Sequence, residues 1–135
     1  MGAASDYLEN KILDHVLTSA AYTQPSRYLA LFTASTGLES DSIATASEVS
    51  TSGTAYARKA VTFAAASSGS SATNATVTFD AATASWGTIT HVAVMDGSTA
   101  GAGHVLFYGA VTTSKTIDTG DTFQITSGNL TVSLD

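Results

Sequence analysis

Three histidines are the only imidazoles in the chain: His15, His91 and His104. A metal site would need two of them to converge with a carboxylate such as Asp96. His91 and His104 lie on either side of a glycine-rich turn and could face each other across a hairpin. No ligand spacing of a metal motif accompanies them. We therefore expect a cross-strand pair or solvent contacts for these residues, and no metal.

Serine is abundant, but no serine has the surroundings of a catalytic nucleophile. The Gly-x-Ser-x-Gly turn of the α/β-hydrolases is missing, and the serines lie in small-residue linkers. Two carboxylate pairs, Asp118 with Asp121 and Glu39 with Asp41, stand next to turn residues, where aspartate usually bonds its own backbone. We predict a protein that has no catalytic residues, holds no cofactor and is not an enzyme.

Aromatic residues at strand positions suggest another kind of chemistry, stacking against a sugar ring. Trp86, Tyr56, Phe107 and Tyr108 could form such a platform. Aromatic residues with strand periodicity more often lie in a core or a subunit interface, and we assign Trp86 and Tyr108 to packing or an interface. A carbohydrate-binding module that uses Trp86 or the tyrosines stays open as an alternative.

Charge is scarce and mostly negative. Eleven acidic and five basic residues give a formal net charge of −6, and charged residues make up 12% of the chain. No basic stripe can neutralise several phosphates, so we expect no direct binding to nucleic acid. No apolar run approaches the roughly 18 residues of a membrane span, and we expect no membrane partner. A surface of small, uncharged side chains loses little on desolvation, which favours an assembly subunit.

One amphipathic helix is predicted over residues 5–19. Ser5 is a good N-cap, and acidic residues in the first turn suit the helix dipole. Apolar residues then recur at helical spacing on one side, namely Leu8, Ile12, Leu13, Val16 and Leu17. We predict that this side packs on the β-layer, with Leu8, Ile12 and Val16 buried as packing or interface residues.

The rest of the chain has the pattern of short strands separated by Gly, Ser and Asp turns. Residues 88–95 are apolar on both sides in their second half, which predicts a central strand, and 104–111 is the natural hairpin partner. Residues 34–54 break the pattern and predict a long surface loop. We predict one domain over 1–135 with a mainly β fold. It is a single antiparallel β-sandwich over 28–134, with a jelly roll as one topology that fits.

Several segments together resemble a family of small virion proteins of tailed phages, whose members are usually labelled phage tail fiber proteins. The resemblance rests on SDYLENKILDH at 5–15, YLALFT at 28–33, YARKAVTF at 56–63, WGTITHV at 86–92, LFYGA at 106–110, GDT at 120–122 and LTV at 130–132. It implies a structural role in the particle and carries over no catalytic residue. The segment 36–52 matches nothing in the family, and partner-specific variation is expected there.

Two roles in a phage particle fit this sequence. The first, which we favour, is a capsid decoration or cement protein that stabilises the head shell by mass action as a homo-oligomer, with a trimer expected. The second is a short tail fibre or baseplate component that contacts a host receptor through the loop. Both make other virion proteins the partners, either the major capsid protein or tail proteins. Both place the chain in the virion after synthesis in the host cytoplasm.

Overall fold

A five-stranded antiparallel sheet forms the centre of the protein in the computed structural model, which describes residues 3–134. The elements in chain order are β1 (Ala3–Ala4), α1 (Asp6–Leu17), β2 (Tyr28–Phe32), a 3-10 helix (Ile43–Thr45), β3 (Lys59–Ala60), β4 (Ser70–Ala72), β5 (Val77–Thr78), β6 (Gly87–Met95), β7 (Val105–Ile117), β8 (Gln124–Ile125) and β9 (Thr131–Ser133). The large sheet has the order β1-β7-β6-β2-β3, and β4-β9 and β5-β8 form two small sheets.

The strand β6 is central, as its apolar pattern predicts, because β2 and β7 flank it. Leu31 of β2 lies opposite Val92, and Phe107 of β7 lies opposite Val94. The pairing with β7 is the predicted hairpin. Both faces of β6 are covered, which is why its second half is apolar on both sides.

Each face of the large sheet has its own apolar core. On one face the sheet packs against the two small sheets and their flanking residues, which contribute Val77, Phe79, Phe123 and Leu130. On the other face the sheet packs against residues 34–54, which contribute the fully buried Leu38. The mainly β, antiparallel and sandwich-like architecture predicted from the sequence is confirmed.

Residues 34–54, which we call the covering segment, form an irregular segment that packs on the sheet through a few buried residues. Leu38 is fully buried and Val49 is 4% exposed. A bridge between Phe32 and Glu48 holds the segment against β2. The apolar residues of this segment follow no regular period, so a sequence pattern does not reveal that they are buried.

The helix α1 begins at its predicted cap and ends two residues before its predicted end. The Oγ of Ser5 accepts the backbone N–H of Leu8 at 3.3 Å. Leu8 is buried, and Ile12 packs partly against the same core. The prediction that Val16 is buried is wrong, because only the first half of α1 lies against the sheet and Val16 is 69% exposed. No helix in the described part of the chain is long and apolar enough to cross a membrane.

Residues 56–63 contain only a short strand, although several of their residue types are typical of strands. Only Lys59–Ala60 pairs in the sheet. Arg58 and Val61 are both buried, and three positions separate them. Positions an odd number apart in an extended chain lie on opposite sides, so the chain is covered on both sides here.

The strand β7 contains a large bulge. It runs from Val105 to Ile117, beyond the end of the predicted hairpin strand at residue 111. Ile89 pairs with Lys115 and His91 with Ala110, so residues 111–114 stand opposite a single residue of β6. Extra residues of this kind leave the ladder and bend the strand locally.

Candidate contact surfaces

A buried ion pair joins the covering segment to the chain just before β3. Nε of Arg58 donates to Oε1 of Glu48 at 2.7 Å, and Nη2 donates to Oε2 at 2.8 Å. The side chain of Arg58 is fully buried and that of Glu48 is 6% exposed. In this fork geometry the two groups satisfy each other in place of water. The pair therefore fixes the two segments in one arrangement.

The turn between β6 and β7 satisfies the remaining groups of this ion pair. Nη1 of Arg58 donates to the carbonyl oxygens of Gly97 and Ala102, each at 2.9 Å. The N–H of Gly101 donates to Oε2 of Glu48 at 2.8 Å. One buried pair thus holds the covering segment, the approach to β3 and the hairpin turn together.

Tyr56 belongs to the same network. Its hydroxyl donates to Oε1 of Glu48 at 2.8 Å and accepts the N–H of Leu31 at 3.1 Å. Burial first, and then the nearby carboxylate, raise the pKa of Tyr56 far above its ordinary value. The hydroxyl therefore stays protonated and acts as a structural donor rather than as an acid or base.

Asp41 ties the covering segment to β7 and α1. Its Oδ1 accepts the N–H of Val105 at 2.7 Å, and its Oδ2 lies 2.5 Å from Nδ1 of His104. The ring of His104 stacks on Tyr7 of α1, with 3.8 Å between centroids and 3° between planes. The expectation that Asp41 bonds its own backbone is wrong, because these partners lie 63 and 64 residues away along the chain.

The other candidates for chemistry have structural contacts. His91 lies in register with Ala110 rather than opposite His104. The described residues contain no cluster of three or more His, Cys, Asp or Glu side chains arranged to hold a metal. Asp118 and Asp121 close their own turn, as predicted, since Oδ2 of Asp121 accepts the N–H of Asp118 at 2.9 Å.

Trp86 lies in the core, which corrects the idea that it could stack on a sugar. It is 5% exposed, and its Nε1 donates to the carbonyl of Thr54 at 2.8 Å. Tyr56 and Phe79 meet its ring edge-on, with centroids 5.5 and 6.3 Å away. Tyr108 is half-buried against the core on the opposite face of the sheet. Because Trp86 is enclosed, its ring has no accessible face for a ligand.

One part of the surface is apolar, and it combines the outer side of α1 with the end of the chain after β9. Leu13, Val16, Leu17 and Leu134 are each 52–74% exposed. The three helix residues are spaced as neighbours on one side of the helix. Leu13 and Leu134 line the same shallow depression. We call these four residues the apolar patch.

A groove of about 400 Å³ adjoins the apolar patch. Ile12 and Leu134 line both this groove and the shallow depression at the patch. The groove walls are largely apolar and include Leu8, Phe63, Val94, Leu106, Phe107 and Val132. Tyr22 lines the groove as well, and its hydroxyl is buried without a hydrogen-bond partner among the described residues. Burial is the main cause that raises the pKa of Tyr22 to about 12.

Acidic side chains border the apolar patch. Glu9 and Asp6 lie on the helix side that carries Leu13, one and two turns earlier respectively, and Glu9 lines the same depression. Neither carboxylate forms an ion pair within the described residues. Lys11 does not compensate them there, since its Nζ lies over the ring of Tyr7 at 5.6 Å from the centroid. The patch therefore has a negatively charged border.

A known protein family matches almost all of the residues that the structure describes. The family model described as podophage GP4 fiber I protein gp80 matches residues 3–133. The chain belongs to this family. The resemblance to phage tail fiber proteins seen in the sequence is thereby confirmed. A search of curated proteins finds no match.

Membership of the fiber I protein family fixes the broad role of the chain. It is a structural protein of a bacteriophage particle, and it interacts with other proteins of that particle. Its place in the capsid as a decoration or cement protein is not confirmed, and the alternative tail fibre role fits the family better.

The five predicted packing residues of this fiber I family member lie in different surroundings. Leu8 and Trp86 are in the core between the large sheet and the two small sheets, and Ile12 is at the edge of that core. Tyr108 packs against the core on the opposite face of the large sheet. Val16 is exposed in the apolar patch. Contacts of these residues with another chain stay a prediction.

The width of the apolar side of α1 indicates the apolar patch in the sequence, and the prediction of packing residues did not use it. At 100° per residue, the apolar residues from Leu8 to Leu17 spread over about 180° of the helix. A single contact with a core uses a stripe of about 100°. The excess width indicates that α1 has apolar surface for a second contact in addition to the sheet.

Proposed function

We propose that this chain is a tail fibre component of a podophage and that it works through protein contacts, without catalysis. The observation that carries the proposal is the family match over residues 3–133, whose description names a fibre. For this reason we place the chain in the tail rather than on the head. The carboxylates of Glu48 and Asp41 also support a structural role, because both have structural hydrogen-bond partners.

The covering segment is our candidate for contact with a host receptor. The Glu48–Arg58 pair anchors it near its end, and Asp41 anchors it near its middle. Its outer positions carry small polar side chains, among them Ser40, Ser42, Ser50 and Thr51. A segment that is held in one conformation before binding loses little entropy when it binds.

Antibody labelling of intact particles tests the tail location. Gold-labelled antibodies against this chain should mark a few copies at the tail end of each particle in electron micrographs. Dense labelling over the head would support capsid decoration instead, and particles without label would contradict both locations. A homo-oligomer, with a trimer expected, stays a prediction that light scattering of the purified chain would check.

A further inference from the structure

We propose that the apolar patch and the adjoining groove form a docking site for another virion protein, and that the docked segment is apolar and flanked by basic residues. The proposal rests on the tail fibre function, because it names the surface by which the chain would attach to the particle. It is separate from the receptor contact proposed for the covering segment.

The first reason is the continuity of the surface. Leu13, Val16 and Leu17 form one strip on the helix, and Leu134 continues it across the end of the chain. Ile12 connects the strip to the groove. Scattered exposed hydrophobic residues need no explanation, whereas a contiguous apolar area beside a groove marks an interaction site.

The second reason concerns the charge of the partner. Asp6 and Glu9 stand beside the strip without an ion pair in the described residues, and Lys11 is drawn towards Tyr7. A docked segment with Lys or Arg beside its apolar residues would match this border. Two copies of the chain joined through the patch would bring the same carboxylates together. An anionic lipid surface would be repelled by them.

The third reason is the shape of the site. The second half of α1 stands clear of the sheet, so a partner can reach both the strip and the groove entrance at Ile12. Residues at i, i+3 and i+4 on a helix are the spacing through which an amphipathic helix meets a partner. A helix or an extended apolar segment of another chain would cover the strip and place one side chain in the groove.

Incorporation into particles tests this site. Cells infected with phage that lack a functional copy of this gene would be supplied with wild-type chain, the double variant L13Q/L17Q or the control K11Q. All three substitutions introduce glutamine at exposed positions of the same helix, where glutamine is a good helix former. The amount of chain in purified particles would be measured by quantitative mass spectrometry. Melting temperatures would be compared to show that each variant folds.

We expect L13Q/L17Q to melt like the wild type and to be depleted at least about tenfold from particles, while K11Q is incorporated normally. Equal incorporation of L13Q/L17Q and wild type would overturn the docking proposal and leave the fibre function intact. Absence of the wild-type chain from particles would instead overturn the proposed function itself.

A photocrosslinking residue in place of Val16 identifies the occupant. Crosslinking in intact particles should join the chain to a different virion protein, at an apolar segment that has Lys or Arg beside it. A crosslink between two copies of this chain would overturn the proposal and assign the patch to self-association. Flotation of the purified chain with vesicles of anionic phospholipid, lost in L13Q/L17Q, would overturn it in favour of a membrane contact.

Discussion

Glu48 and Arg58 meet through two parallel hydrogen bonds of 2.7 and 2.8 Å in a site that excludes water. They are ten positions apart along the chain, and the contact holds the end of the covering segment beside β2. Removing one partner of a buried pair leaves the other charge without compensation, which costs more than the pair itself contributes.

Glu48→Gln should therefore lower the free energy of unfolding by about 3–5 kcal/mol. The neighbouring ion pair between Lys59 and Asp80 provides the control, because it lies at the surface. Its Nζ and Oδ1 atoms are 3.0 Å apart. Lys59→Gln should change the same quantity by less than about 1 kcal/mol. Urea denaturation of both variants measures the difference, and equal losses would show that the Glu48 pair is not buried in solution.

Replacement of tyrosine by phenylalanine should affect stability differently at Tyr56 and at Tyr22. Tyr56→Phe removes the acceptor of the buried Leu31 N–H and should cost about 1–3 kcal/mol. Tyr22→Phe removes a buried hydroxyl that has no partner among the described residues, so stability should be unchanged or slightly higher. Thermal melting compares the two variants. A larger loss for Tyr22→Phe would contradict the assigned contacts.

Alkaline pH should destabilise the fold. The pKa of Tyr22 is raised to about 12, and the pKa of Tyr56 is raised as well. Above about pH 10 the unfolded chain loses these protons while the folded chain keeps them, so the free energy of unfolding falls as pH rises towards 12. Denaturant titrations at several pH values measure this slope. Tyr22→Phe should make it shallower, and an unchanged slope would refute the role of Tyr22.

Truncation of two leucines on α1 distinguishes its packed half from its exposed half. Leu8→Ala should cost about 2–5 kcal/mol because Leu8 is buried in the core. Leu13→Ala should change stability by less than about 0.5 kcal/mol, since Leu13 is 54% exposed. Chemical denaturation of the purified variants gives both values. A large loss for Leu13→Ala would mean that the second half of the helix is also covered within the chain.

Two glycines in the covering segment test whether it is packed as described. Both Gly37 and Gly53 have positive φ, so an alanine is strained at either position. At Gly37 the added Cβ would also lie 2.6 Å from the carbonyl oxygen of Ser42, whereas nothing lies within 4 Å at Gly53. Gly37→Ala should lower the melting temperature more than Gly53→Ala does. Similar losses would indicate a looser segment.

The features that depend on neighbouring residues are the ones that the sequence predicts well. Ser5 caps α1 because its hydroxyl needs only a backbone N–H three residues later. The central strand and its hairpin follow from alternation and from a glycine-rich turn, which are equally local. The antiparallel, sandwich-like architecture is the packing that such short strands require.

Features that depend on distant partners are not visible in the sequence. The contact between Asp41 and His104 joins residues 63 positions apart, and no sequence spacing predicts it. Arg58 is buried because Glu48 and two carbonyl oxygens surround its guanidinium group, and these partners lie 10, 39 and 44 positions away along the chain. The role of the covering segment is set by these contacts, which is why composition alone predicts only a surface loop.

The candidate docking site is a mixed case. The apolar side of α1 is evident from its periodicity, and Leu8 and Ile12 are correctly assigned to packing. Which of the apolar residues meet the sheet depends on where β7 lies relative to the helix. That relation is set by the whole fold, so the exposure of Val16 cannot be read from the helix sequence.

The bulge at residues 111–114 affects the tendency of this chain to aggregate at high concentration. β1 pairs with β7 only at Phe107 and Tyr108, so beyond this point β7 has no outer neighbour among the described residues. A regular strand with an open side offers its backbone to another molecule and promotes aggregation. Four residues displaced from the ladder interrupt that template. We therefore expect the bulge to limit edge-to-edge pairing of β7 with other copies of the chain.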